Sequence, residues 1–166
     1  MRINLGSGQR RFNDFINVDI SDKFSPDIQL DSETYLKLQA ADSVDMIVCH
    51  HSAEHMHLDE SKSLFAQCHR VLRPGGSLLV FVPDLEALAH RWIEGRISDY
   101  IFCVNLHGAY MGSEADVHKW SFTEKSLKGH IHSCAQWCNV IKFDWRTVAG
   151  ADLARDWWIL GMEGIK

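Results

Sequence analysis

Two near-continuous apolar runs, residues 44–49 (VDMIVC) and 77–82 (SLLVFV), bracket a stretch with helical periodicity, and no other feature restricts the fold so strongly. Strands that are apolar on both faces belong inside a sheet covered on both sides, as parallel βαβ units are. Between them Leu64, Phe65, Cys68, Val71 and Leu72 recur at the spacing of one helix face, Asp59 can cap the start, and Arg73-Pro74-Gly75-Gly76 stops it. The alternation runs through the rest of the chain. Residues 2–5 and 15–20 read as strands, and after Pro83-Asp84 a second helix carries Leu85, Leu88, Ala89, Trp92 and Ile93 on one stripe, expected to pack on the sheet and end near Gly95. Ser121 with Glu124 matches a capping box, and Thr123 competes with it, ahead of a helix through Leu127 and Ile131. Residues 140–145 and 157–162 look like strands joined by an irregular 146–156 segment too short for a helical crossover, which favours an antiparallel closing pair. The expected class is α/β: a Rossmann-like, doubly wound, mostly parallel sheet with an antiparallel C-terminal strand, in three layers α/β/α, forming one domain over residues 1–166.

Residues 97–120 break the periodicity and concentrate Tyr100, Phe102, His107, Tyr110, His118 and Trp120 with Gly108 and Gly112. Aromatic loops near strand ends often build ligand pockets, so this segment reads as a loop insertion on the acceptor side of a site. The net charge of −5 and the absence of any basic run longer than Arg10-Arg11 argue against a nucleic-acid or anionic-membrane partner. Five cysteines are an odd count, no apolar run approaches about 18 residues, and the chain opens on a strand pattern where a signal peptide would have a charged start. A reducing cytoplasm is the expected compartment. Trp157 and Trp158, expected to be exposed, would be consistent with a homodimer.

Leu5-Gly6-Ser7-Gly8 follows the first strand, and Asn17-Val18-Asp19 closes the second only eleven residues past Gly8. Glycines permit a tight turn that a ligand can approach, and a carboxylate ending the next strand can accept both hydrogen bonds of a ribose diol. A nucleoside ligand follows. A nicotinamide dinucleotide fits less well, because Arg11 stands where its fingerprint needs a third glycine and Asp19 comes too early for a full crossover helix.

The ordered set of glycine turn, Asp19, Asp31, the Glu54-His55 pair after the 44–49 strand, and the RVLRPGG run before the 77–82 strand resembles the class I S-adenosylmethionine-dependent methyltransferases, especially the small bacterial and phage type. The resemblance implies S-adenosylmethionine as cofactor and S-adenosylhomocysteine as product. It implies that Leu5 belongs to the cofactor site, that Gly6, Ser7 and Gly8 pass under the methionine part, that Asp19 holds the ribose, that Ile20 packs on the adenine, and that Leu30 and Asp31 flank it. His50 would lie beside the cofactor as well. The sequence departs from the family in its short first crossover and in Ser7, where many members carry an acid or cysteine. One wall of the site is then left for another element, such as a partner subunit, to close.

His50-His51-Ser52-Ala53-Glu54-His55-Met56-His57 follows the fourth strand, at the edge where parallel sheets place ligands. His50 or His51 could face the methyl group and take a proton from the acceptor, and His118 could contact the acceptor. His51-x-x-Glu54-His55 also matches one zinc-peptidase signature, though that motif belongs inside a long helix. The expected reaction is in-line methyl transfer, without a metal, to an oxygen or nitrogen of a small-molecule or glycan-type acceptor. The rival is a non-catalytic nucleoside-binding or partner subunit of the same fold.

Overall fold

The structure is a computed structural model that describes residues 1–110, 112, 114–144, 147 and 157–166, leaving aside the Glu114 side chain. A seven-stranded sheet runs in the order β3-β2-β1-β4-β5-β7-β6, with β1 at Arg2–Leu5, β2 at Ile16–Asp19, β3 at Ile28–Gln29, β4 at Val44–His50, β5 at Leu72–Pro83, β6 at Asn139–Lys142 and β7 at Ile159–Ile165. The first five strands pair in parallel, and β7 alone runs against its neighbours, pairing antiparallel with both β5 and β6. The mostly parallel α/β sheet with an antiparallel C-terminal strand is the expected one. The expected end of the first closing strand at Trp145 and the 146–156 link, Thr147 apart, lie outside the described residues.

Among the described residues five helices accompany the sheet: α1 Ser32–Lys37, α2 Leu58–Val71, α3 Leu85–Ile93, α4 Asp99–His107 and α5 Glu124–Cys134. Leu36, Leu64, Phe65, Cys68, Val71, Leu127 and Ile131 from α1, α2 and α5 are buried with Ile3, Leu5, Val18, Ile47 and Cys49 in one large cluster. A smaller cluster on alternate strand positions buries Val48, Leu79, Phe81 and Ile159, and it is packed by Phe12, Phe15, Met46, Phe143 and Trp158. Side chains from loops and strand ends thus cover positions where a crossover helix would otherwise lie. Among the described residues no helix is long and apolar enough to cross a membrane.

The β1–β2 connection, residues 6–15, contains no helix, and two strand asparagines hold it instead. Asn17 Nδ2 donates to the carbonyls of Phe12 and Phe15 at 3.1 Å, its Oδ1 accepts from Phe12 N at 2.9 Å, and Asn4 Nδ2 reaches Arg10 O at 2.7 Å. Buried amides satisfy the loop backbone that a helix would have satisfied within itself.

Several local expectations change. The α2 cap is His57 rather than Asp59, because Glu60 reaches back to accept from His57 N at 2.7 Å. Thr123, not Ser121, caps α5, pairing with Ser126. β5 begins at Leu72 instead of residue 77, so the Arg73-Pro74-Gly75-Gly76 stop lies within a strand. α1, β3 and α4 are unforeseen, and α4 falls inside the segment expected as a loop. α3 buries only Leu88; Trp92 is 41% and Ile93 76% exposed, and Trp92 stacks on Phe102 of α4 with centroids 4.7 Å apart. Trp157 and Trp158 are half-buried, one beneath Arg91 and the other against His51, so they are not the exposed pair expected.

Candidate functional site

Because β1, β2 and β4 are parallel, their carboxyl ends share one edge of the sheet, and the turns that follow them meet there. A crevice of about 890 Å³ opens at this edge and is lined by Gly6, Gly8, Asp19, Ile20, Asp31, His51, His55 and His118, among others. Of the expected site residues it gathers the glycines, Asp19, Ile20, Asp31, His51 and His118. Leu5, Ser7, Leu30 and His50 lie outside its lining. Leu5 is fully buried in the main cluster, Leu30 packs against that cluster, and Ser7 is 4% exposed with its amide donating to Val18 O.

The turn is built by close approach. Gly6 and Gly8 have φ of +60° and +46°, and a Cβ on Gly6 would stand 2.6 Å from Ser52 Oγ, whereas one on Gly8 would meet nothing within 4 Å. Gly6 lets the β1 turn pack against the β4 turn, and Gly8 presents bare backbone to open space. Asp19 ties the second strand to this turn: Oδ2 accepts from Gly8 N at 2.8 Å and Oδ1 from Ser21 N at 2.8 Å. Asp31 caps α1 by accepting from Thr34 N at 2.9 Å, and Ile20 stands 68% exposed between these two acids in sequence.

On the histidine side, β4 delivers two rings to different surroundings. His50 follows the strand alternation onto the face of Val48 and Phe81, where its ring lies 5.4 Å from Phe81 and Nε2 is 3.3 Å from an Arg10 guanidinium nitrogen. Burial, then His51 and Arg10, push its pKa down to about 2, so it is neutral and placed away from the crevice. His51 leaves the strand through a left-handed φ of +50°, uncommon for a residue with a Cβ. Its Nδ1 lies 2.8 Å from Glu54 Oε1. Burial raises the Glu54 pKa, but the attraction and hydrogen bond of His51 and the nearness of His55 outweigh it, holding the carboxyl below its ordinary value.

Glu54 and His55 sit in a 3₁₀ turn, Ala53–His55, and not in a long helix, which removes the structural basis of the peptidase signature. His118 reaches the same place from beyond α4. The amides of Lys119 and Trp120 donate to Glu54 O at 2.7 and 3.1 Å, and the His118 ring meets the His55 ring edge-on at 4.7 Å. Burial chiefly lowers the His118 pKa, and Nδ1 is 3.0 Å from Asn105 O. His107 ends α4 with its side chain exposed, away from the crevice lining. Lys23, Phe24, Ser52, Met56 and Asp116 also line the crevice. They escaped the sequence reading because they lie in short turns without periodicity, and only the Ser52–Met56 stretch carried a signal, its place just after a central strand.

Residues 5–80 match the family model described as a methyltransferase domain. No curated protein matches the chain in sequence. Among solved structures it is similar to a SAM-dependent methyltransferase from Archaeoglobus fulgidus, at 17% identity and a TM-score of 0.65 over 99% of this chain and 85% of that one. It is similar also to a Thermotoga maritima protein described as a possible histamine N-methyltransferase, at 15% identity and TM-score 0.62 over 99% and 81%. A third is Burkholderia thailandensis 1,6-didemethyltoxoflavin-N1-methyltransferase, solved with 1,6-didemethyltoxoflavin and S-adenosylhomocysteine bound, at 16% identity and TM-score 0.59 over 99% and 70%.

Proposed function

We propose that this chain is a class I methyltransferase that moves the sulfonium methyl of S-adenosylmethionine to an oxygen or nitrogen of a small-molecule or sugar-like acceptor, a reading its matched domain and its fold support. One observation carries the reading: a single crevice gathers the glycine turn, Asp19, Ile20 and Asp31 together with His51 and His118. The residues fit the cofactor. Gly8 offers backbone that no side chain covers, Asp19 spends one hydrogen bond on each oxygen and keeps lone pairs for two ribose hydroxyls, and exposed Ile20 suits a ring face. Asp31 caps α1 through Oδ1, which leaves Oδ2 for an exocyclic amine. Bound there, the cofactor supplies a methyl group on an activated leaving group, whose bonding pair returns to sulfur.

The protein's own share is alignment and a proton. Well-oriented reactants can gain effective molarities of order 10⁵ to 10⁸ M, whereas one general base contributes about 10² to 10⁴. Ionised Glu54 accepts from His51 Nδ1, which fixes the tautomer and leaves Nε2 as the acceptor of the nucleophile's proton. His50, buried against Phe81 with Nε2 facing Arg10, is not the residue to which we assign the proton. The cytoplasm is the compartment we assign, in keeping with five free cysteines.

Calorimetric titration with S-adenosylhomocysteine tests the cofactor half. Asp19→Ala is expected to bind about 10- to 100-fold more weakly, the scale of charge-assisted hydrogen bonds worth ~1.5–3 kcal/mol; parent-like affinity would remove the ribose assignment. Methyl-labelled cofactor with mixed small acceptors tests the transfer half. Label on an acceptor supports the enzyme, and cofactor retained without any methylated product favours the non-catalytic subunit.

A further inference from the structure

Beyond methyl transfer, Glu54, His55 and His118 form a cluster that the reading above leaves largely unused. One candidate ligand atom from each lies within 4.8 Å of the others. Ligand atoms around zinc, at bond lengths of about 2.0–2.1 Å, stand roughly 3.3 Å apart, so side-chain rotations would complete the approach. We propose that these three residues bind a divalent transition-metal ion of the zinc class at the wall of the crevice.

Four observations carry this. First, Glu54 is only 1% exposed, yet Oε2 has no hydrogen-bond partner among the described residues, and neither has the buried Nδ1 of His55. A buried carboxylate oxygen and an imidazole nitrogen without partners are costly, and a cation satisfies both. Second, the outer contacts of a metal site are in place. His118 Nδ1 is held at 3.0 Å by the Asn105 carbonyl, which leaves Nε2 with the lone pair, and Glu54 Oε1 is held at 2.8 Å by His51. Third, the distant ligand is fastened: the amides of Lys119 and Trp120 both donate to Glu54 O, so His118 cannot drift from the 3₁₀ turn without breaking them. Fourth, His55 and His118 line the crevice, so an ion there would keep a coordination position open toward it. Two nitrogens and one oxygen with an open position is a donor set that zinc accepts at catalytic sites. An acceptor hydroxyl or amine bound at that position would be acidified beside His51. The donor set differs from the peptidase pattern, since Glu54 is itself a ligand and His51 backs it from outside.

The test is metal titration of the full chain after chelator stripping, with no cofactor present, so that it stands or falls apart from methyl transfer. Expected results are one equivalent of Zn²⁺ bound, ligand-field absorption in the visible on Co²⁺ substitution, and a raised melting temperature with Zn²⁺. His118→Ala and Glu54→Gln should each weaken Zn²⁺ binding at least tenfold, whereas His57→Ala, in an exposed neighbour, should not. If either variant fails to fold by circular dichroism, His55→Gln replaces it with the same expectation. Absence of a stoichiometric ion, or equal affinity in parent and ligand variants, overturns the site and leaves a hydrogen-bonded histidine cluster.

Discussion

His50 and His51 are adjacent in sequence and differ in every property that matters for catalysis. Strand alternation carries His50 to the face of Phe81, where burial keeps it neutral, while a left-handed φ of +50° turns His51 toward Glu54 and the crevice. Backbone strain of this kind costs of order 1–3 kcal/mol and concentrates at functional sites. His51→Ala is therefore expected to lower kcat by about 10² to 10⁴ while S-adenosylhomocysteine affinity changes little. Glu54→Gln should do the same in part, because the carboxylate that holds the His51 ring through Nδ1 is gone. Single-turnover rates with calorimetry on the same samples check both; an unchanged rate in His51→Ala would dismiss it as the base. The histidine cluster was legible by its place after a central strand, but its members could not be ranked, since a one-residue step at a strand end reverses the side-chain direction. That Asp19, Gly6 and Gly8 meet in one crevice was legible, because that depends on residue type and spacing alone.

Short elements explain what the sequence hid. α1 has six residues and β3 two, too few for a periodicity, so the capping role of Asp31 stayed hidden. In α4, Tyr100, Ile101, Phe102, Val104 and Leu106 spread around the helix with none fully buried, so no stripe betrayed it. α2 and β4, long and buried, were legible for the opposite reason. The helix-free link between β1 and β2 is the element that brings Gly6 and Gly8 into the crevice. Asn17 spans it, bonding both to the loop and to Asp27 Oδ2 at 2.8 Å. Asn17→Ala would leave Phe12 N without its acceptor, free the carbonyls of Phe12 and Phe15 and leave Asn4 Nδ2 with Arg10 O alone, and the expected loss is about 2–4 kcal/mol. Arg11→Ala, at the exposed pair with Asp27, should cost below about 1 kcal/mol. Urea midpoints at equal m value measure the contrast, and similar losses in the two variants would show that the asparagine network does not hold the loop.

Across the whole molecule the histidines set the response to mild acid. His50, His69 and His130 all have pKa values lowered by burial first, His50 to about 2. A histidine whose folded value lies below the unfolded value of about 6.5 binds its proton more readily in the unfolded chain, so stability is full above that pH and declines as pH falls below it. The lowered carboxyls, Asp27, Glu33 and Glu54, act in another window. Their stabilisation is present above unfolded values near 4 and is lost only below them. Between pH 7.5 and 5.0 the histidine contribution should therefore dominate, with a slope of up to about 1.4 kcal/mol per pH unit for each histidine that differs by a full proton. His50 supplies the steepest share, because its folded value lies far below the window and its Nε2 accepts from Arg10. Unfolding free energies by urea at pH 7.5, 6.5, 5.5 and 5.0 should fall steadily in the parent and less steeply, by about one proton, in His50→Gln. Parallel slopes would mean that His50 stays as protonatable in the fold as in the open chain, contrary to its packing against Phe81 and the Arg10 guanidinium.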